Sequence, residues 1–135
     1  MHSMELFWLF LTVLITAFMA FPYAVIRSKE QGVKTILTTS IPINTLSSAR
    51  AQRAQRAHLN AIENLIIFMP LVFILHFNGI SRTATVTACQ IHFFSRFIYY
   101  FLYLFGVPYF RSFMFAVNFC STMVLVTKLF CFYFF

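Results

Sequence analysis

Arg53, Arg56, Asn60 and Glu63 stand at i, i+3, i+7 and i+10, which places all four on one face of a helix. Arg96, Tyr99 and Tyr103 repeat the i, i+3, i+7 spacing farther along the chain. Guanidiniums, phenols and a carboxamide supply many donors, and Glu63 is the one acid among them. Such a set suits a small polyanion that carries an amine. Arg111 and Ser112 follow in the same half of the chain. A cation such as Arg111 beside a bound thiol raises its thiolate fraction, and a neighbouring hydroxyl donates a further hydrogen bond.

The elements that position these residues are written in the composition. Of 135 residues, 61% are hydrophobic and only 10% charged, with a mean hydropathy of +0.82. A soluble domain carries about 25% charged residues, so the chain is an integral membrane protein of one small domain. The net charge of +7 does not point to nucleic acid. Six of the ten Lys and Arg lie between residues 27 and 56, between two apolar runs, with no aromatic residue interleaved among them. Cys89, Cys120 and Cys131 are odd in number, form no CxxC and fall in apolar runs, which predicts buried thiols and no disulfide framework. His2, His58, His76 and His92 lack Cys or carboxylate partners at ligand spacing, so no metal site is expected.

Residues 6–26 are uncharged and long enough to cross the hydrocarbon core, with a bend expected near Pro22. Glu5 and the lack of Lys or Arg before this run argue against a cleaved signal. Residues 28–48 read as a connector, punctuated by Gly32, Pro42 and Asn44, with Ser47 or Ser48 as the cap of the next helix. That helix has no Gly or Pro from Arg50 to Met69 and becomes a second span over 61–77, interrupted by Pro70. A turn at Asn78-Gly79-Ile80-Ser81 leads to a third span over 83–105, ended by Gly106-Val107-Pro108, and a fourth follows over 112–130. The fold class is therefore all-α: a four-helix up-down transmembrane bundle. Arg27, Lys29, Lys34, Arg50, Arg53, Arg56 and Arg111 share one side against Arg82 and Lys128 on the other, which places both termini outside the cytoplasm.

The short turn after residue 77 makes the second and third spans an antiparallel hairpin. Counting outward from it sets Glu63 level with Arg96, Asn60 with Tyr99 and Arg56 with Tyr103. Arg96 in mid-span needs a partner, since an unpaired charge there costs about 2.5–3.5 kcal/mol. A Glu63–Arg96 ion pair that only fixes helix register is one reading. A polar seam open to the cytoplasm is the other, and glutathione fits it: Arg53, Arg56 or Arg27 for its carboxylates, Glu63 for its amine, Arg111 for its thiol. His58, His76, His92 and Asn118 are expected to make interhelical hydrogen bonds or to pack.

The run Arg53-Ala-Gln-Arg56-Ala-His58-Leu-Asn60-Ala-Ile-Glu63-Asn64 resembles the signature of the MAPEG family, membrane-associated proteins in eicosanoid and glutathione metabolism. It is most like the microsomal glutathione transferases. The second block, Arg96-Phe-Ile-Tyr99 through Tyr103-Leu-Phe-Gly106-Val-Pro108-Tyr-Phe-Arg111-Ser112, is similar to bacterial-type members. The resemblance implies a four-helix protomer, a homotrimer, and glutathione as co-substrate bound between protomers at the cytoplasmic side. It implies a glutathione site of Arg56, Asn60, Glu63, Arg96, Tyr99 and Tyr103, with Arg27 as a further contact and Arg111 stabilising the thiolate. The expected activity is glutathione transfer to lipophilic electrophiles, or reduction of lipid hydroperoxides, in a bacterial inner membrane rather than the endoplasmic reticulum. Ile67 stands where many members carry proline, and Leu59 where prostaglandin synthases carry arginine, so eicosanoid specificity is not implied. The rival expectation is a non-catalytic lipid-binding or scaffold protein on the same fold. A transporter is disfavoured, because His76 is the only polar residue on the second span between Asn64 and the turn.

Overall fold

The computed structural model describes residues 3–38 and 48–134. The expectations that concern His2, Pro42, Asn44 and Ser47 lie outside them. The order is α1 (Met4–Phe18), α2 (Ala20–Gln31), α3 (Val33–Thr38), α4 (Ala49–Phe77), α5 (Thr83–Phe105) and α6 (Pro108–Phe134), with no strand among the described residues.

Three stretches are long and apolar enough to cross a membrane: Met4–Gln31, Ala49–Phe77 and Pro108–Phe134. The fourth long helix, α5, has 23 residues, roughly 35 Å at the α-helical rise. Gln90, His92, Ser95 and Arg96 dilute its hydropathy.

The first stretch breaks at Met19, between α1 and α2. The break falls where Pro22 dictates, since its ring displaces the carbonyl four residues earlier and offers it no N–H. Tyr100 Oη donates to the Met19 carbonyl at 3.0 Å, which ties the break to α5. By contrast α4 runs through Pro70 without interruption. The connector is more helical than its punctuation implies: α2 continues to Gln31, and Gly32, at φ 79°, separates it from α3. Ser48 Oγ caps α4 by accepting from the Ala51 N–H at 3.3 Å.

Glycines with positive φ set both tight turns. At Gly79 (φ 67°) and Gly106 (φ 76°) the helix ends and the next N–H reaches back: Ile80 to the Leu75 carbonyl, Val107 to that of Leu102, each at 2.9 Å. Pro108 then opens α6 as its first residue, where a missing N–H is harmless. As a result α6 starts a turn earlier than its apolar run, and Arg111 and Ser112 lie on the helix.

The bundle is up-down, with the short turns joining antiparallel neighbours. Ala51, Ala54, Ala57 and Ala61 form the buried stripe at the start of α4. Small side chains there let α1 and α2 approach closely and send the long cationic side chains to the flanks. Farther along, Phe68, Val72, Leu75, Cys89 and Leu125 make the apolar core. Only Cys89 bears out the expectation of buried thiols; Cys120 and Cys131 lie on the exposed side of α6. Apolar surroundings in a spanning helix include lipid as well as core, so hydropathy alone did not distinguish them.

Glu5 fastens the end of the bundle opposite the Arg-rich loop. It is 1% exposed, accepts from Ser81 Oγ at 2.9 Å and Ser3 Oγ at 2.9 Å, and lies 2.6 Å from Thr85 Oγ1. These bonds join the start of α1 to the α4–α5 turn and the first turn of α5. Glu5→Ala strips the acceptor from the buried Thr85 hydroxyl and from those of Ser3 and Ser81, and is expected to cost about 2 kcal/mol. Glu5→Gln, which keeps one acceptor oxygen, should cost about half as much. Reversible unfolding in detergent micelles reads both.

Candidate functional site

Asn60, Tyr99, Tyr103, Arg111, Ser112 and Phe115 line one cleft of about 390 Å³. Three helices build it. Asn60 comes from α4, next to the alanine stripe. Tyr99 and Tyr103 share a face of α5, with ring centroids 5.9 Å apart. Arg111, Ser112 and Phe115 come from the first two turns of α6, which Gly106 and Pro108 fold back against α5. Five of these six residues are sequence-predicted site residues. Phe115 was missed, although it stands four residues after Arg111 and therefore shares its face.

Two cations lie on tyrosine faces. The Arg111 guanidinium is 4.8 Å from the Tyr103 ring centre and that of Arg96 is 4.9 Å from Tyr99. Stacking of this kind fixes the plane of a guanidinium and leaves its edge free to donate. Arg111 is half-buried at the cleft, and Arg96 is 3% exposed beside it. Arg96 Nη1 donates to Asn60 Oδ1 at 2.7 Å, while its Nε and Nη2 are buried with no hydrogen-bond partner. Asn60 Oδ1 also accepts from Asn64 Nδ2 at 3.3 Å, which turns the Asn60 Nδ2 into a donor for the cleft. The Ser112 hydroxyl donates to the Pro108 carbonyl at 3.3 Å. A Ser112 bond to a ligand therefore requires rotation of that hydroxyl.

A polar network supports the cleft from below. Asn118 Nδ2 donates to Asn64 Oδ1 at 3.3 Å, and Ser95 Oγ donates to Asn118 Oδ1 at 3.3 Å. His92 stacks on Phe68 at 3.7 Å between centroids, with its Nδ1 3.3 Å from Thr122 Oγ1. The interhelical roles expected of His92 and Asn118 are thus present. His76 has none: it is exposed and makes no hydrogen bond among the described residues. His58 is half-buried, with Nδ1 lacking a partner. Asn64, Ser95 and Thr122 were not singled out from the sequence. The signal for Asn64 and Thr122 is the i, i+4 relation to Asn60 and Asn118, and Ser95 stands three residues after His92.

The remaining candidates do not line the cleft. Glu63 does not meet Arg96. It is exposed and without an ion pair among the described residues, and Asn60 takes its place on the guanidinium. Depth along a hairpin says nothing about angle: Glu63 lies two residues past buried Ala61, about 200° around the helix. Arg56 is exposed on the same outer flank. Arg53 lies against the α5–α6 turn, where a Cβ on Gly106 would come 3.9 Å from its Cδ, Nε and Cζ. Its charge there faces the carbonyl end of α5. Arg27 donates from Nη1 to Tyr23 Oη at 2.9 Å and from Nε to Gln31 Oε1 at 3.2 Å, both on its own helix.

The arrangement can hold an anionic ligand with neutral and cationic donors while a half-buried guanidinium stabilises charge at the cleft. No curated protein matches the chain. A family model does: that of the MAPEG family matches residues 6–131 of the 135, nearly the whole sequence. This match, over a chain whose helices can cross a membrane, shows that the protein belongs to the MAPEG family.

Proposed function

We propose that the protein is a membrane-bound glutathione transferase or peroxidase acting on lipophilic electrophiles or lipid hydroperoxides. The observation that carries this reading is the buried Arg96 guanidinium beside the cleft, with two nitrogens lacking partners. Burying a charge with donors unmet is costly, and a carboxylate of the tripeptide answers it. Family membership is consistent with such an activity.

In this reading Arg96, Asn60, Tyr99 and Tyr103 hold glutathione. Arg111, kept flat on Tyr103, faces the sulfur and favours the thiolate over the thiol. The thiol proton leaves to water at the cytoplasmic end. The thiolate sulfur then bonds to an electrophilic carbon as the leaving group departs with its electron pair. With a hydroperoxide, the sulfur takes the terminal oxygen, an alcohol is released, and a second glutathione yields the disulfide and water.

Glu63 and Arg56 bear on the assembly. Both charges are exposed on the protomer, and Glu63 lies within the apolar half of α4. A carboxylate facing lipid is expensive. A neighbouring copy covers this flank in our reading. The functional unit is then a homotrimer with four spans per protomer, and Arg56 and Glu63 join the ligand site from the adjacent chain. Arg27 and Arg53 provide cationic rim at the cytoplasmic end, with both termini on the other side, in a bacterial inner membrane.

One observation favours the alternative of a non-catalytic lipid-binding protein. An apolar groove of about 200 Å³ opens at the α1–α2 break between Phe18, Met19, Pro22, Phe97 and Tyr100, suited to an acyl chain. The two readings separate in an assay of purified protein in lipid nanodiscs with glutathione and either an aryl halide or a lipid hydroperoxide. Conjugate or alcohol formation above the uncatalysed rate supports the enzyme. Glutathione binding with no turnover of either class supports the alternative.

A further inference from the structure

A second, larger cleft lies at the opposite end of the bundle from the Arg111 site. It measures about 600 Å³ and is bounded by Asn78, Ser81 and Arg82 of the α4–α5 turn and by Lys128, Cys131 and Phe132 of α6. Arg82 and Lys128 are the only Lys or Arg residues outside the Arg-rich side and mid-span Arg96. Their side chains make no hydrogen bond or ion pair among the described residues, yet they converge on one space from different helices. Arg82 is also the N-cap of α5, so the positive end of that helix adds to the field. Glu5, the nearby acid, is 1% exposed with its oxygens taken by Ser3, Ser81 and Thr85 hydroxyls. It does not line the cleft.

The chemistry is that of a phosphate site carried by two separated cations; the Ser81 hydroxyl donates to Glu5, and Asn78 Nδ2 donates to the Ile74 carbonyl and Tyr133 Oη, so neither adds a free donor. The surroundings are those of a lipid. Phe77, Phe132 and Phe134 are 82%, 51% and 69% exposed at the same end of the bundle, where they flank the space an acyl chain would occupy. We propose that this cleft binds the phosphodiester of an anionic phospholipid at the membrane interface. A zwitterionic lipid offers the same phosphate but sets its choline cation beside Arg82 and Lys128, so it binds more weakly. Neither residue belongs to the glutathione site, and the proposal stands whether or not that site is correctly read.

The test is native mass spectrometry of the full chain in detergent, titrated with phosphatidylglycerol, with phosphatidylcholine, and with inorganic phosphate. Phosphatidylglycerol should bind at least tenfold more tightly than phosphatidylcholine. At roughly fivefold per interfacial cation, Arg82→Gln with Lys128→Gln should weaken it about 25-fold. Both side chains reach solvent, so the double variant should retain its helix content. Lys29→Gln with Lys34→Gln removes equal charge at the other end and should leave binding unchanged. Equal binding of the two lipids would overturn the proposal, as would equal losses in the two double variants. Displacement of the lipid by inorganic phosphate at equal concentration would overturn the lipid assignment.

Discussion

Arg111→Ala is expected to lower the rate of glutathione transfer about 100-fold while changing glutathione affinity by less than about threefold. The guanidinium sits on the Tyr103 ring 4.8 Å away and borders the cleft from the start of α6. Its proposed work is done on the sulfur as charge develops, and removal of one preorganised donor of this kind typically costs 10²–10³ in rate. The loss should therefore fall on kcat and leave KM nearly unchanged. It should also shrink as pH rises through about 8.5, where a cysteine thiol ionises unaided. Arg111→Lys should recover part of the rate, since it keeps the charge but gives up the planar stack. A loss confined to KM would assign Arg111 to binding and leave the thiolate without a stabilising group.

Arg96→Met carries the second large effect, with opposite signs on binding and stability. The replacement has nearly the same length and no charge. It removes one hydrogen bond to Asn60 but also removes two buried nitrogens that lack partners. Breaking a buried pair usually destabilises, whereas replacing a poorly satisfied charge by an apolar chain of similar volume is often neutral or favourable. The thermal midpoint in detergent should therefore hold or rise. Glutathione affinity should fall roughly 30- to 100-fold, the worth of a buried charge-assisted hydrogen-bond set. A folded variant that still binds glutathione would return Arg96 to a structural role. A variant that loses stability in step with affinity would show that the Asn60 bond holds the bundle together.

The sequence carried depth and helical face but not the angle between faces. Arg96, Tyr99 and Tyr103 share a stripe because 3.6-residue periodicity is strict within one helix. They meet Asn60 because a short turn forces an antiparallel hairpin. The pairing of Glu63 with Arg96 used depth alone, and the inward rotation of the alanine stripe sends Glu63 to the outer flank. Arg111 and Ser112 joined the cleft through Gly106 and Pro108, whose turn chemistry was legible. Phe115 and Asn64 needed the position of α6 against α4, which no local pattern encodes. The break at Met19 followed from Pro22 by the geometry of one missing N–H. Glu5 is the instructive omission: in the sequence it served only as an argument against a cleaved signal, and its partners Ser81 and Thr85 lie far along the chain.

The division between cleft and flank also explains why the ten sequence-level candidates do not all meet in one protomer. Asn60, Arg96, Tyr99, Tyr103, Arg111 and Ser112 form a unit whose members touch or share a cavity. Arg56 and Glu63 project from the same helix onto an unpartnered face. In the trimeric reading, the second group completes a neighbour's cleft, so a monomer trapped in harsh detergent should bind weakly even when folded.

The cleft between α4, α5 and α6 is proposed as the glutathione site. Calorimetric titration of glutathione into the purified protein in mild detergent tests it most directly, with Asn60→Ala and Tyr99→Phe beside wild type. Saturable binding is expected in the micromolar to low-millimolar range, weakened about tenfold or more by Asn60→Ala and less by Tyr99→Phe. Absence of binding by a folded, correctly assembled protein, or binding that both substitutions leave intact, would contradict it.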